Sequence, residues 1–266
     1  MMQRMEPALL RELAEMLRAG GIEDAELEAK WICEDMPDAE AARETARRRA
    51  KHEPLQYLLG AWEFYGLRIE VGQGVLIPRA DTETLVEAAL DRLKQTASPR
   101  IMDLCTGSGC IALALKSQMP DADVTGIEKS AEAMKFAEKN RSALGLDITL
   151  VPGDVLQAET AAAFTGLDCI VSNPPYLTAD DMAHLQQEVT YEPASALDGG
   201  ADGLHFYREI TRLWRDALKP GGLLAFEIGC TQGADAAEIL RQNDFEQIAV
   251  LRDLNGNDRV VQGIRR

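Results

Sequence analysis

The sequence predicts an α/β protein with a mostly parallel seven-stranded sheet, preceded by a small all-helical unit and a β-hairpin linker. Three observations carry this. From Asp81 onward, short apolar runs alternate with helical periodicities. Up to about Lys51 only helical spacing occurs. Between these regions lies a stretch rich in aromatic and β-branched residues and cut by glycines.

In residues 1–53, Leu9, Leu10, Leu13 and Leu17, then Leu27, Ala29, Trp31 and Ile32, recur at three- and four-residue spacings. Gly20-Gly21 and Pro37-Asp38 punctuate them, so short bundled helices are expected. In residues 54–78, Gly60, Gly66, Gly72 and Gly74 separate strand-like pieces, which predicts a hairpin linker. In residues 79–266 the expected strands are Arg100 to Leu104, Val124 to Glu128, Ile148 to Val151, Cys169 to Ser172, Leu223 to Ile228, Gln247 to Leu251 and Arg259 to Ile264. Asn255-Gly256 leaves no room for a crossover helix, so the last two strands should pair antiparallel through a tight turn. A parallel sheet ending in such a hairpin matches the methyltransferase variant of the doubly wound, Rossmann-like fold. The long stretch Leu177 to Asp202 reads as a non-helical substrate loop at the carboxyl edge of the sheet.

Composition narrows the function. The 266 residues are 46% hydrophobic and 27% charged, as in ordinary globular proteins. No apolar run approaches the roughly 18 residues of a membrane span, so no membrane association and a cytoplasmic location are expected. With 44 acids against 28 bases the net charge is −16, which opposes binding to phosphate backbones. Arg47-Arg48-Arg49-Ala50-Lys51 reads as a solvated helix end. Five scattered cysteines and three dispersed histidines show no metal-ligand spacing, so mostly buried free thiols and no metal are expected.

The chemistry concentrates at strand ends. Asn173-Pro174-Pro175-Tyr176 follows an apolar strand. Two prolines fix two φ angles and remove two backbone donors, so the strand must stop with Asn173 at the sheet rim. An amide oxygen beside a bare proline carbonyl forms an acceptor pair suited to an NH2 group, which points to methyl transfer onto an amide or exocyclic amine. Cys105-Thr106-Gly107-Ser108-Gly109 runs from a strand into a helix, where glycines and free N–H groups admit a ligand. Glu128, at the end of the next strand, is placed to accept from ribose hydroxyls, and Asp154 and Val155 to hold an adenine. Only the fourth strand separates a nicotinamide cofactor from S-adenosylmethionine, because a hydride-transfer enzyme has no evident use for the acceptor pair.

Several motifs, in order, resemble the bacterial release factor protein-(glutamine-N5) methyltransferases, the HemK-type family. They are Pro54-Leu55-Gln56-Tyr57 with Gly60, Glu63-Phe64-Tyr65-Gly66, and Val75-Leu76-Ile77-Pro78-Arg79-Ala80-Asp81-Thr82-Glu83. The glycine loop, Asn173 to Tyr176, Glu192-Pro193-Ala194-Ser195-Ala196-Leu197, Gly199-Gly200 and Asp202-Gly203-Leu204 complete the set. Ala80 and Glu128 depart from the family's usual proline and aspartate. The resemblance implies a class I methyltransferase sheet, a helical substrate-recognition domain, S-adenosylmethionine as donor and S-adenosylhomocysteine as product. It implies release factors 1 and 2 as protein substrates, through the glutamine of their Gly-Gly-Gln motif. Asn173 and Pro174 would hold that amide and Tyr176 would pack on it, with Pro175 completing the substrate site. Cys105 to Gly109, Glu128, Asp154, Val155 and Asn173 would bind the cofactor, and Arg79 and Glu83 either contact it or pair within the linker. A monomer without direct nucleic-acid binding is expected. A ribosomal-protein glutamine methyltransferase and a nucleic-acid amine methyltransferase are the alternatives.

Overall fold

The computed structural model describes residues 7–266, so the first six residues of the expected helical unit lie outside the described residues. The N-terminal region contains α1 (Pro7–Ala19), α2 (Ala25–Asp35) and α3 (Ala39–Arg49). Asp38 caps α3 by accepting from the Glu40 and Ala41 N–H groups, which would otherwise be orphaned at the helix start. Leu13, Leu17, Ile32 and Ala46 close a core separate from that of the sheet. The basic run at the end of α3 is not simply solvated, as the sequence alone had it. Arg49 is buried and ion-paired to Glu28 at 2.6 Å, Arg48 pairs with Glu53, and Arg47 with Glu44 at 2.9 Å.

The linker begins with one helical turn, α4 (Leu55–Leu59), which composition did not foretell; it stops at Gly60, whose φ of 76° is left-handed. β1 (Ala61–Phe64) and β2 (Leu67–Glu70) then pair antiparallel. Tyr65 and Gly66 between them have φ of 49° and 74°, as a two-residue hairpin turn requires.

The catalytic sheet is built from α5 (Glu83–Leu93), β3 (Arg100–Leu104), α6 (Cys110–Gln118), β4 (Asp123–Glu128), α7 (Ala131–Leu144), β5 (Thr149–Pro152), α8 (Ala158–Ala162), β6 (Leu167–Ser172), α9 (Ala179–Ala183), α10 (His205–Trp214), β7 (Leu218–Glu227), α11 (Gly233–Gln242), β8 (Phe245–Arg252) and β9 (Asp258–Arg265). All seven expected strands are present, and β7 begins earlier, at Leu218. The order is β5-β4-β3-β6-β7-β9-β8, with β9 inserted antiparallel between β7 and β8. Alternate residues enter opposite layers: Ile101, Cys169, Val171 and Ala225 pack with α5 and α6, whereas Met102, Ile170, Leu224 and Phe226 pack with α10 and α11. Two of the five cysteines, Cys110 and Cys169, are buried; Cys230 is exposed, and Cys33 and Cys105 are intermediate. Among the described residues no helix is long and apolar enough to cross a membrane.

Trp214 on α10 is fully buried, and its Nε1 donates to the Val155 carbonyl at 2.9 Å. Trp214→Ala is expected to remove about 3–5 kcal/mol of stability by leaving a large cavity. A lowered urea midpoint would show it, and an unchanged midpoint would contradict this packing.

Candidate active site

The carboxyl ends of β3, β4, β5 and β6 open onto a cavity of about 590 Å³. After β3 the chain turns through Cys105, Gly107 and Gly109 with φ of 60°, 57° and 82°. The Thr106 N–H donates to the Ile127 carbonyl at 3.0 Å and seats this turn on β4. Gly126 makes the seat possible, because a Cβ there would lie 2.8 Å from Thr106 Oγ1. Thr106 Oγ1 donates to Asp103 Oδ2, and the Ala112 N–H also favours the charged form of the Asp103 carboxyl. Burial pushes the Asp103 carboxyl up to about 7, against the opposing Thr106 hydrogen bond.

Cys105, Thr106, Gly107 and Ser108 line the cavity. Gly109 stands behind the wall, where a Cβ would lie 3.3 Å from Leu113 and 3.4 Å from Ala137. Glu128 lines the cavity and also braces it: Oε2 accepts from the Gly107 N–H at 2.9 Å and Oε1 from the Ser130 N–H at 2.7 Å. Asp154 and Val155 line the far side. Burial alone would raise the Asp154 pKa. The Lys129 ammonium at 2.9 Å and the Leu156 N–H outweigh it and hold the pKa below the usual range.

At the end of β6 the structure brings Asn173 and Pro175 to the cavity wall. Asn173 Nδ2 donates to Thr82 Oγ1 at 3.4 Å. Neither Asn173 Oδ1 nor the Pro174 carbonyl takes a hydrogen bond among the described residues. Pro174 is buried, and Tyr176 turns its hydroxyl to Glu227 Oε1 at 3.4 Å instead of lining the wall. Gly199 and Gly203 lie directly against the Tyr176 backbone; a Cβ on Gly199 would come 2.6 Å from the Tyr176 Cα.

The stretch Leu177 to Asp202 is not free of helix as expected: it holds α9 and two 3₁₀ turns, Val189–Tyr191 and Ala194–Ala196. Thr178 and Asp181 form a reciprocal cap for α9, a local signal that the sequence did contain. Pro193, Ser195, Ala196 and Asp198 from this stretch face Gly74 to Arg79 across the cavity. Glu192 joins the two walls, accepting from the Ile77 N–H at 2.9 Å and pairing with Arg79. Arg79 therefore lines the cavity, whereas Glu83 accepts from the Tyr65 N–H at 2.8 Å.

The sequence reading gave Asp103 and Glu227 no role and held Thr82 and Glu192 only as members of motifs. Asp103 places a charge one residue before the end of an apolar strand and Glu227 at the end of another, a visible signal. Thr82 and Glu192 act through partners remote in the chain, which no local pattern reveals.

The strand order with an antiparallel β9, the glycine-bearing turn after β3 and the cavity at the carboxyl edge define a class I methyltransferase. A methyltransferase small domain model matches residues 80–202. The hMettl16 catalytic domain in complex with a 3′UTR hairpin shares the fold with a TM-score of 0.61 at 18% identity, over 84% of this chain and 82% of that one. A T. thermophilus 16S rRNA N2 methyltransferase in complex with AdoMet and guanosine aligns with a TM-score of 0.56 at 18% identity, over 77% of this chain and 50% of that one.

Sequence narrows the class. The chain is 42% identical over 262 residues to the release factor glutamine methyltransferase of Geobacter sulfurreducens, covering 91% of this chain and 90% of that one. With its counterpart from Moorella thermoacetica the identity is 40% over 280 residues, 97% of each. A 43% match to the Fusobacterium nucleatum relative covers 80% of this chain and 60% of that one. The chain belongs to the release factor glutamine methyltransferase family.

The buried Asp103 carboxyl gives a pH signature. Its pKa rises from 3.8 to about 7 on folding, so the folded state keeps a proton that the unfolded chain has lost. Its contribution to stability therefore falls as pH rises through that window. The stability of Asp103→Asn relative to the parent is expected to improve steadily from pH 4 to pH 7 in urea titrations. A difference independent of pH would contradict the assignment.

Proposed function

We propose that this chain transfers a methyl group from S-adenosylmethionine to the N5 amide nitrogen of the Gly-Gly-Gln glutamine in peptide chain release factors. One observation carries the reading furthest. Asn173 reaches the cavity wall with its amide oxygen free of hydrogen bonds among the described residues, and the next carbonyl in the chain, that of the buried Pro174, is also unbonded, in a family whose members are named for glutamine methylation.

The cavity residues fit the cofactor chemically. Glu128 supplies a carboxylate for ribose hydroxyls, and Asp154 and Val155 a polar and an apolar contact for adenine. When bound, S-adenosylmethionine supplies an electrophilic methyl on a cationic sulfur and leaves as S-adenosylhomocysteine.

The protein's own task is to hold a poor nucleophile. An amide nitrogen has its lone pair delocalised into the carbonyl. Asn173 Oδ1 and the Pro174 carbonyl accept its two hydrogens and restrict its orientation. Both bonds strengthen as the nitrogen forms its bond to carbon and gains positive charge, after which one of these protons passes to solvent water and the neutral methylamide remains. No metal enters this scheme.

Residues 1–53 serve as the substrate-recognition domain, residues 54–78 as the linker and residues 79–266 as the methyltransferase domain. Arg49 reaches from the first to Glu188 of the third at 2.7 Å, which supports a joint docking surface. Release factors 1 and 2 are the substrates of a monomeric enzyme acting in the cytoplasm without direct nucleic-acid binding. The net charge of −16 disfavours the nucleic-acid alternative.

Mass spectrometry of purified release factor after incubation with enzyme and S-adenosylmethionine is expected to show one added methyl on the Gly-Gly-Gln glutamine. An unmodified glutamine would overturn the reading, and methylated RNA would favour the alternative. Asn173→Ala is expected to reduce turnover at least about a hundredfold while leaving cofactor affinity within a few fold. Radiolabelled methyl transfer and calorimetry measure the two quantities.

A further inference from the structure

Behind the acceptor pair lies a buried polar cluster that the scheme above does not use. Glu227 ends β7, just beyond the register pair Ser172 and Phe226, and is 2% exposed. Its Oε1 accepts from the Tyr176 hydroxyl at 3.4 Å, and the nearby Thr82 hydroxyl favours the charged form of the same carboxylate. Its Oε2 has no geometrically well-formed hydrogen bond among the described residues. The Tyr207 hydroxyl donates to the Glu227 backbone carbonyl at 3.1 Å.

Thr82 decides the direction of this chain of bonds. Its oxygen accepts the Asn173 Nδ2–H, so its single proton is left for Glu227. With a carboxylate as terminal acceptor, the order runs from Asn173 to Thr82 to Glu227. The Asn173 amide nitrogen is thereby turned inward and its oxygen left for substrate. A protonated carboxyl reverses the logic: it competes as a donor for the Thr82 oxygen. The amide is then free to flip and present NH2 to an incoming NH2 group.

We infer that Glu227 is a positioning residue for methyl transfer: as a carboxylate it fixes the Asn173 amide through Thr82, and through the Tyr176 hydroxyl it holds the turn carrying the Pro174 carbonyl. This rests on the glutamine-methylation reading.

The surroundings place the titration of Glu227 in a useful range. Burial pushes its carboxyl up to about 7, against Thr82, the Arg259 guanidinium and Tyr176, while Asp81 pushes the same way as burial. Burial above all raises Tyr176, Tyr207 and Cys110, the last to about 12, and the Glu227 charge adds to each. The carboxylate form grows as pH rises, so kcat is expected to rise through pH 7. Asp103 titrates in the same range beside the glycine turn. The variant, not the parent profile alone, makes the assignment.

The experiment uses the full chain with release factor and radiolabelled S-adenosylmethionine from pH 5.5 to 9. Glu227→Gln is expected to lower kcat about tenfold at pH 8 and to lose the rising limb. KM for release factor and cofactor affinity by calorimetry should stay within about twofold. Thr82→Val should reproduce the loss in kcat. A Glu227→Gln enzyme that keeps the limb would overturn the inference, as would a parent enzyme without one.

A second measurement needs neither a variant nor turnover. The Asn173 side-chain amide resonances of the parent protein should shift with a midpoint near pH 7, and resonances that stay still across that range would also overturn it. If the parent fails to methylate glutamine while these resonances titrate, the proposed function fails and the coupling of Glu227 to Asn173 stands.

Discussion

The carboxyl edge depends on one backbone contact: the Tyr176 main chain resting on Gly199 and Gly203. Pro174 and Pro175 offer no N–H, so the sheet cannot hold the chain once β6 ends. Other groups hold it instead. The Leu177 N–H donates to the Leu197 carbonyl at 2.9 Å, the Gly199 N–H to the Leu177 carbonyl at 2.8 Å, and Gln232 Nε2 to the Tyr176 carbonyl at 3.0 Å. Only glycine admits so close an approach of two backbones, which gives Gly199 and Gly203 a steric reason.

Around this seat the protein concentrates buried carboxylates, a costly arrangement unless each is hydrogen-bonded or protonated. Three of them show two solutions. Glu192 is satisfied by the Ile77 N–H and Arg79. Asp103 and Glu227 are only partly satisfied, and burial raises both toward neutrality. Buried acids left this way mark the places where chemistry, not packing, governs the choice of residue.

How much of this was legible follows from range. The seven strands could be read because each is a contiguous apolar run, and the antiparallel hairpin because Asn255-Gly256 is too short for any other connection. The insertion of β9 between β7 and β8 could not, since it depends on nonlocal pairing. At the site, Cys105 to Ser108, Glu128, Asp154, Val155 and Asn173 do meet in one cavity, because each follows a parallel strand and so reaches the same sheet edge. Side-chain direction was beyond reach: Gly109 faces away from the cavity and Tyr176 toward Glu227, each set by neighbours distant in sequence.

The segment between β6 and α10 forms part of the cavity wall, and it is anchored on both sides of the Val189–Tyr191 turn. On one side Glu188 pairs with Arg49 at 2.7 Å and lies 3.3 Å from His52 Nδ1, while Gln187 Nε2 donates to the Lys51 carbonyl at 3.3 Å. On the other side Glu192 is tied to Ile77 and Arg79. Arg49 is itself held by Glu28 at 2.6 Å, so one guanidinium joins α2, α3 and the wall. The helical unit is thus tied to the cavity wall through Arg49, Lys51 and His52.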